Sequence, residues 1–294
     1  MSGVLFERVA FIGIGHIGSS LARLLRRDGL ATTIVACARR QETLDTVMRL
    51  KIADEVTTDM AAAVKDADLV VIATPLSTYV EIGKAIAPAL KPGAIVTDVG
   101  SVKGLVIRDF APLLPPTVHL VPGHPIAGTE NSGPESGFPE VFNGRWCILT
   151  PVANGNAAAL DLVTRMWKSG NMNVETMDAN HHDMVLGITS HLPHLIAYTI
   201  VDTATDLEDT LKSEVIKFSA SGFRDFTRIA ASDPVMWRDI FLNNREAVLS
   251  LLQRFTEDLT AMQRAIRRGE GDKLQELFTR TRAIRRSIVE AKQA

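Results

Sequence analysis

Residues 123–133 read Gly-His-Pro-Ile-Ala-Gly-Thr-Glu-Asn-Ser-Gly, and they place one imidazole, His124, among turn-forming residues after an apolar run at 118–121. An imidazole exchanges a proton near neutral pH, so His124 is a candidate general base. A second signal stands near the start of the chain, Gly13-Ile14-Gly15-His16-Ile17-Gly18. In a strand–turn–helix context the first glycine permits a tight turn. The second lets backbone approach a pyrophosphate, and the third lets helix and strand pack closely. N–H groups at the opening of the helix attract the phosphates. A dinucleotide site beside a poised histidine points to hydride transfer.

Further polar candidates follow. Ser101, in Asp98-Val99-Gly100-Ser101-Val102-Lys103, stands at the end of another strand, where it can reach a nicotinamide or a substrate hydroxyl. It can equally cap the next helix. Thr74 and Pro75, just past the 69–73 strand, join the cofactor set. His191 and His194 stand one helical turn apart and project to nearly the same side. They read as substrate-binding residues or as hydrogen-bonded core histidines rather than as a metal site. His181 and His182 read as surface or capping residues. Arg224 and Arg228 flank Asp225. Arg224 can pair with that acid, whereas Arg228 has none within a turn and reads as an anion receptor. Trp237 can wall a ring-sized pocket.

Cofactor choice is read from the end of the second strand, where NAD-specific enzymes place a carboxylate. Here the position is Ala38, followed by Arg39 and Arg40. A missing acid and two added cations favour the 2′-phosphate of NADP.

These residues need a scaffold. Strand-like runs fall at 9–12, 33–37, 69–73, 95–99, 118–121, 147–150 and 174–177, with amphipathic stretches at 19–27, 42–50, 79–90 and 157–168. Continuous apolar strands alternating with helices predict an α/β fold, a mainly parallel sheet covered on both faces. From Asp178 onward the pattern is helical, reaching about Thr203. Asp233-Pro234 opens another helix, running to about Ile266. Leu249 to Ile266 and Leu274 to Ile288 carry apolar residues at spacings of three and four. The expected domains are 1–177 and 178–294.

Composition bounds the partners. The chain has 294 residues, 46% hydrophobic, with a net charge of −2. That is enough to bury a large core, and it offers no basic field for nucleic acid or a membrane surface. Cys37 and Cys147 lie in strand-like runs and read as buried thiols. No leader pattern and no apolar run of transmembrane length is read, so a cytoplasmic protein is expected.

Five ordered motifs, GIGHIG, DVGSVK, GHPIAGTENSG, SHLPH and GFRDFTRIAASDPVMW, resemble the prephenate/arogenate dehydrogenases of tyrosine biosynthesis over essentially the whole length. The resemblance implies a doubly wound Rossmann-type domain followed by an all-α dimerisation domain, hence a homodimer. No room is read for the mutase or regulatory domains of some relatives. It implies oxidative decarboxylation of prephenate or arogenate with NADP or NAD. It matches His124 to the catalytic histidine and Ser101 to the serine beside the substrate hydroxyl. Arg228 matches a carboxylate-binding arginine, and His194 and Thr129 match side-chain-binding positions. Glu130 and Arg224 resemble a gating ion pair. Two rivals are a β-hydroxyacid dehydrogenase, whose lysine–asparagine pair neither Lys212 nor Lys217 supplies, and a non-catalytic dinucleotide sensor.

Overall fold

Apolar runs buried on both faces make the middle of one eight-stranded sheet. The computed structural model describes residues 3–129, 131–205, 217 and 220–290. The strands are β1 (Phe6–Ile12), β2 (Ala31–Cys37), β3 (Glu55–Thr57), β4 (Leu69–Ile72), β5 (Ile95–Asp98), β6 (His119–Ile126), β7 (Trp146–Leu149) and β8 (Asn173–Thr176). They lie in the order β3-β2-β1-β4-β5-β6-β7-β8. The first six are parallel in the order of a doubly wound dinucleotide-binding sheet. Along β1, Val9 and Phe11 enter one core and Ala10 and Ile12 the other, as the two-residue period of a strand requires. Helices His16–Arg27 and Ala157–Ser169 cover the first face, and Tyr79–Ile86 packs on the second. Strand β3 and the short helix Met60–Val64 escaped the sequence reading; both are too short to show a period.

Strand β6 departs from expectation in a way that matters. The turn-forming residues around His124 predict a loop after residue 121. The strand instead continues and changes partner. His119 to Pro122 pair in parallel with β5, and Gly123 to Ile126 pair antiparallel with β7. His124 therefore sits on a strand, opposite Ile148.

Asp178 caps the next helix as expected, accepting hydrogen bonds from the backbone N–H groups of Asn180 and His181. That helix runs from Ala179 to Leu186, widens into a π turn over Gly187–His191, and resumes as Leu192–Thr205. The whole 27-residue stretch is long and apolar enough by composition to cross a membrane, contrary to the expectation that no run reaches that length. Its buried His182, Asp183 and His191 bond to His124, Lys103 and Asn244, so it packs as a helix of this unit. Asp233 caps helix Pro234–Asn243 through the N–H of Met236. This helix stops at Asn244 rather than running on to Ile266, and Arg245–Arg268 begins a new one.

By internal contacts the chain divides into Met1–Arg245 and Glu246–Ala294. The second unit contains most of Arg245–Arg268 together with Gly271–Glu290. Its apolar side chains Leu249, Leu259, Ile266, Phe278 and Ile284 are all more than half exposed in the single chain. Cys37 and Cys147 are free and buried, as expected.

Because Asp178 holds the first turn of the helix that carries His182, Asp178→Ala should cost about 1 kcal/mol of stability, the usual worth of an N-cap. Urea denaturation checks this.

Candidate active site

The glycine turn between β1 and the helix His16–Arg27 builds the first half of the site. Gly13 has φ +90°, and a Cβ there would strike the Ala73 carbonyl oxygen. A Cβ on Gly18 would lie 2.8 Å from the Gly13 carbonyl oxygen. Gly15 differs: nothing stands within 4 Å of where its Cβ would be. That open space adjoins a helix start with no side-chain cap and no acid in its first turn. The pairing of free backbone donors with an empty cradle fits a pyrophosphate.

A crevice of about 450 Å³ extends from there, lined by Gly13, Ile14, Gly15, Ala38, Arg39, Arg40, Thr74 and Pro75 among others. His16, Ile17 and Gly18 form the first turn behind it. Ser132, Gly133 and Pro134, from the segment that follows β6, line the crevice too. Ser136 ties this segment down through His16 Nδ1 at 3.0 Å, and Ser20 Oγ accepts the Phe138 N–H. Arg39 and Arg40 are exposed and make no ion pair among the described residues. Cys37 also lines the crevice, but burial pushes its thiol up to about 11, so it stays protonated.

The second half stands at the carboxyl ends of β5 and β6, where open α/β sheets place ligands. Lys103 and Asp98 are both fully buried and meet at 2.5 Å. The Lys103 ammonium also donates to the Gly123 carbonyl at 2.6 Å. Asp98 further accepts from the Tyr79 hydroxyl and the Gly100 and Gly123 N–H groups. His124, the next residue along β6, is 9% exposed. Burial holds its pKa well below the usual imidazole value, and the nearby His182, Lys103 and His191 add in the same direction. His124 is therefore neutral at physiological pH, the form a proton acceptor needs. Its Nδ1 lies 2.9 Å from His182 Nε2, and His182 Nδ1 lies 2.8 Å from Asp183 Oδ1.

This overturns the reading of His182 as a surface or capping residue: it is fully buried, while His181 is exposed. The π turn at Gly187–His191 sets how the histidines of this stretch line up. At about 100° per residue, an uninterrupted α-helix would turn His191 about 180° and His194 about 120° away from His182. A turn that closes on i+5 takes up one extra residue, which reduces those angles to about 80° and about 20°. Three histidines thus share a side that a regular helix would scatter. Ser101 also departs from one expectation, because the helix after it is not capped by its hydroxyl. Instead Asp183 reaches across and accepts the Lys103 and Gly104 N–H groups at 2.8 and 2.7 Å. Half-buried, Ser101 makes no hydrogen bond among the described residues.

His191 bonds to Asn244 at 2.9 Å and its Nε2 is buried without a partner among the described residues. Burial lowers its pKa to about 4. His194 stacks on the Trp237 indole with centroids 3.6 Å apart, and His191 meets the same indole edge-on. Trp237 is buried, and its Nε1 also lacks a partner among them. Arg228 lies close enough to His194 to depress its pKa slightly further, beneath the larger effect of burial. Arg228 makes no ion pair among the described residues, and neither does Arg224, so the expected Arg224–Asp225 pair is not formed. Thr129 is exposed and accepts the Asn131 N–H at 3.3 Å. Glu130 falls outside the described residues, as does Lys212. No cluster of metal ligands is present among the described residues.

A phosphate cradle on the glycine turn, a crevice at the carboxyl edge of a 3-2-1-4-5-6 sheet and a neutral histidine beside it define an NAD(P)-dependent oxidoreductase. The prephenate dehydrogenase nucleotide-binding domain matches residues 21–176, and the prephenate dehydrogenase dimerization domain matches residues 178–280. The chain belongs to the prephenate dehydrogenase family. It is 39% identical over 284 residues to a cyclohexadienyl dehydrogenase of Zymomonas mobilis, covering 97% of each chain. It is also similar to the crystal structure of Aquifex aeolicus prephenate dehydrogenase in complex with hydroxyphenyl propionate and NAD+. That match has a TM-score of 0.89 at 37% identity, over 96% of this chain and 98% of that one. A Synechocystis arogenate dehydrogenase superposes with a TM-score of 0.81 at 25% identity, over 95% and 99% of the two chains.

Removing one partner of a buried ion pair strands the other, so Lys103→Met should cost about 3–5 kcal/mol of stability. Asp98→Asn added to it should recover part of that loss, as urea denaturation of the single and double variants would read.

Proposed function

We propose that this protein catalyses the oxidative decarboxylation of prephenate, arogenate or both, giving 4-hydroxyphenylpyruvate or tyrosine. The observation that carries the reading is His124, a neutral imidazole held on a strand at the ligand edge of the sheet. The nicotinamide, when bound, supplies the hydride acceptor. His124 takes the proton of the ring hydroxyl as hydride leaves C4, and the ring carboxylate departs as CO2, completing the aromatic ring. Ser101, with its hydroxyl uncommitted, holds that ring hydroxyl. Arg228 receives a substrate carboxylate through charge-assisted hydrogen bonds. His194 and Thr129 hold the side chain, His191 supports them, and Trp237 walls the ring. Arg224 and Glu130 gate the pocket.

Residues 1–177 act as the dinucleotide-binding part. Residues 178–294 supply the substrate-binding wall and the dimer contacts, for which the exposed apolar side chains of Arg245–Arg268 and Gly271–Glu290 provide the surface. The protein works as a cytoplasmic homodimer. The cofactor is NADP, on the strength of two cations without an ion pair among the described residues, at the crevice where NAD-specific enzymes keep an acid. The NAD+ bound to the Aquifex relative keeps NAD as the second reading.

His124→Asn should fold normally and lose roughly 10²–10⁴-fold in kcat, the usual worth of a positioned base. Full-speed turnover by this variant would sink the mechanism. The sign of the pH effect follows from the lowered pKa. His124 works unprotonated, so kcat/KM should hold through neutrality and fall only as pH drops below the ordinary imidazole value of 6.5.

An absorbance assay crossing both substrates with NAD+ and NADP+ tests the rest. Arg39→Ala with Arg40→Ala should raise the KM for NADP+ roughly tenfold or more and leave NAD+ unchanged, because each charge-assisted contact is worth about 1.5–3 kcal/mol. A wild-type preference for NAD+ of tenfold would overturn the NADP assignment.

A further inference from the structure

Behind the proposed base lies a chain of hydrogen bonds whose direction can be read from its far end. Asp183 Oδ1 accepts the Lys103 N–H and Oδ2 accepts the Gly104 N–H, at the opening of a helix that no side chain of its own caps. A carboxylate can only accept. The ring nitrogen 2.8 Å from Oδ1, His182 Nδ1, must therefore carry a hydrogen. In a neutral imidazole that leaves a lone pair on Nε2. His182 Nε2 in turn lies 2.9 Å from His124 Nδ1, so His124 donates there and keeps its own lone pair on Nε2. All three side chains are buried, at 9%, 0% and 7% exposure for His124, His182 and Asp183, so water does not scramble the assignment. Asn244 fixes the residue from behind by donating to the Asp183 carbonyl.

We propose that His182 and Asp183 are positioning residues for catalysis: they hold His124 in the tautomer whose free Nε2 lone pair accepts the substrate proton, and they stabilise the imidazolium that results. The inference rests on His124 being the proton acceptor. The proton leaves the ring hydroxyl oxygen and bonds to His124 Nε2. It goes no further along the chain: His124 keeps its Nδ1 hydrogen, His182 stays neutral, Asp183 stays a carboxylate, and His124 returns the proton to the phenolate oxygen that loss of CO2 leaves on the product. The other charged and titratable groups near His124 do not duplicate the role. The Lys103 ammonium is turned to Asp98 and the Gly123 carbonyl, and His191 Nδ1 is engaged by Asn244. The logic is that of the carboxylate behind the histidine of a serine hydrolase, where amidation leaves the geometry and costs about 10⁴-fold in kcat.

The test uses the full-length protein in four forms: His182→Phe, Asp183→Asn, His124→Asn, and His124→Asn combined with His182→Phe. His182→Phe leaves the Asp183 carboxylate on its two backbone donors, so it separates the relay from the helix cap. It should lower kcat roughly 10²-fold or more, in the range of a lost base contribution, with KM for substrate and the fluorescence-measured Kd for NADPH changed less than about twofold. Asp183→Asn should follow it if the protein folds. Added to His124→Asn, His182→Phe should cost nothing more, because groups that act as a unit are not additive. Histidine ¹⁵N NMR reads the tautomer without any turnover: His124 should carry its hydrogen on Nδ1 in the wild type and lose that preference in His182→Phe. An unchanged kcat in His182→Phe overturns the proposal, as does an equal further loss in the His124→Asn background or a wild-type hydrogen on His124 Nε2. A fully active His124→Asn overturns the proton-acceptor reading instead, and the NMR result still judges the hydrogen-bond chain by itself.

Discussion

Two opposite charges buried without any exposure, Lys103 and Asp98, hold the reactive edge of the sheet together. Taking both out of water costs several kcal/mol per ion, and attraction repays that only where the remaining donors and acceptors are satisfied. Here they are. The ammonium reaches the Gly123 carbonyl, and the carboxylate gathers a phenol and backbone N–H groups from the turn after β5 and from β6. Apart from the Gly100 N–H, two residues on from Asp98, these bonds cross between elements, so the pair fixes the end of β5, the bend of β6 and the start of the following helix relative to one another. The residue after Gly123 is His124. Its position is a by-product of this arrangement; burial above all keeps it unprotonated, with His182, Lys103 and His191 adding in the same direction.

Much of the sheet was legible in the chain. Seven of its eight strands announce themselves as apolar runs, and the glycine fingerprint reads correctly because each glycine answers a steric demand that is local: a reversed turn, an open cradle, a close packing contact. The proposed base was legible as a residue but not as a position. The turn-forming residues around it predict a loop, whereas β6 continues through them and exchanges one partner for another. His182 is hidden for a different reason. It stands in the first turn of its helix, where exposure is the ordinary case, and its burial comes from His124, 58 residues away on β6. Likewise Asp183 caps a helix some 80 residues away, a relation that no cap rule about neighbouring residues can find.

The helix Ala179–Thr205 shows how composition and role can part. By length and hydropathy it could span a bilayer. It carries instead the buried polar groups His182, Asp183 and His191, while its apolar Met184, Ile188 and Ile200 stay exposed in the single chain. Burial then does chemical work, since it lowers the pKa values of His124, His182, His191 and His194 alike. A wall of neutral imidazoles results, in which His191 Nε2 and Trp237 Nε1 are buried polar atoms with no hydrogen-bond partner among the described residues.

Arg39 and Arg40 stand at the opposite extreme, exposed and uncommitted at the rim of the crevice. Surface positions of that kind usually change at a cost within about 0.5 kcal/mol, whereas the network behind His124 cannot lose a member so lightly. The molecule is therefore unevenly evolvable. The proposed coenzyme preference rests on two rim residues that can change from one lineage to the next. The proposed proton-handling end is locked by mutual dependence, and any descendant that kept the fold would be expected to alter the former long before the latter.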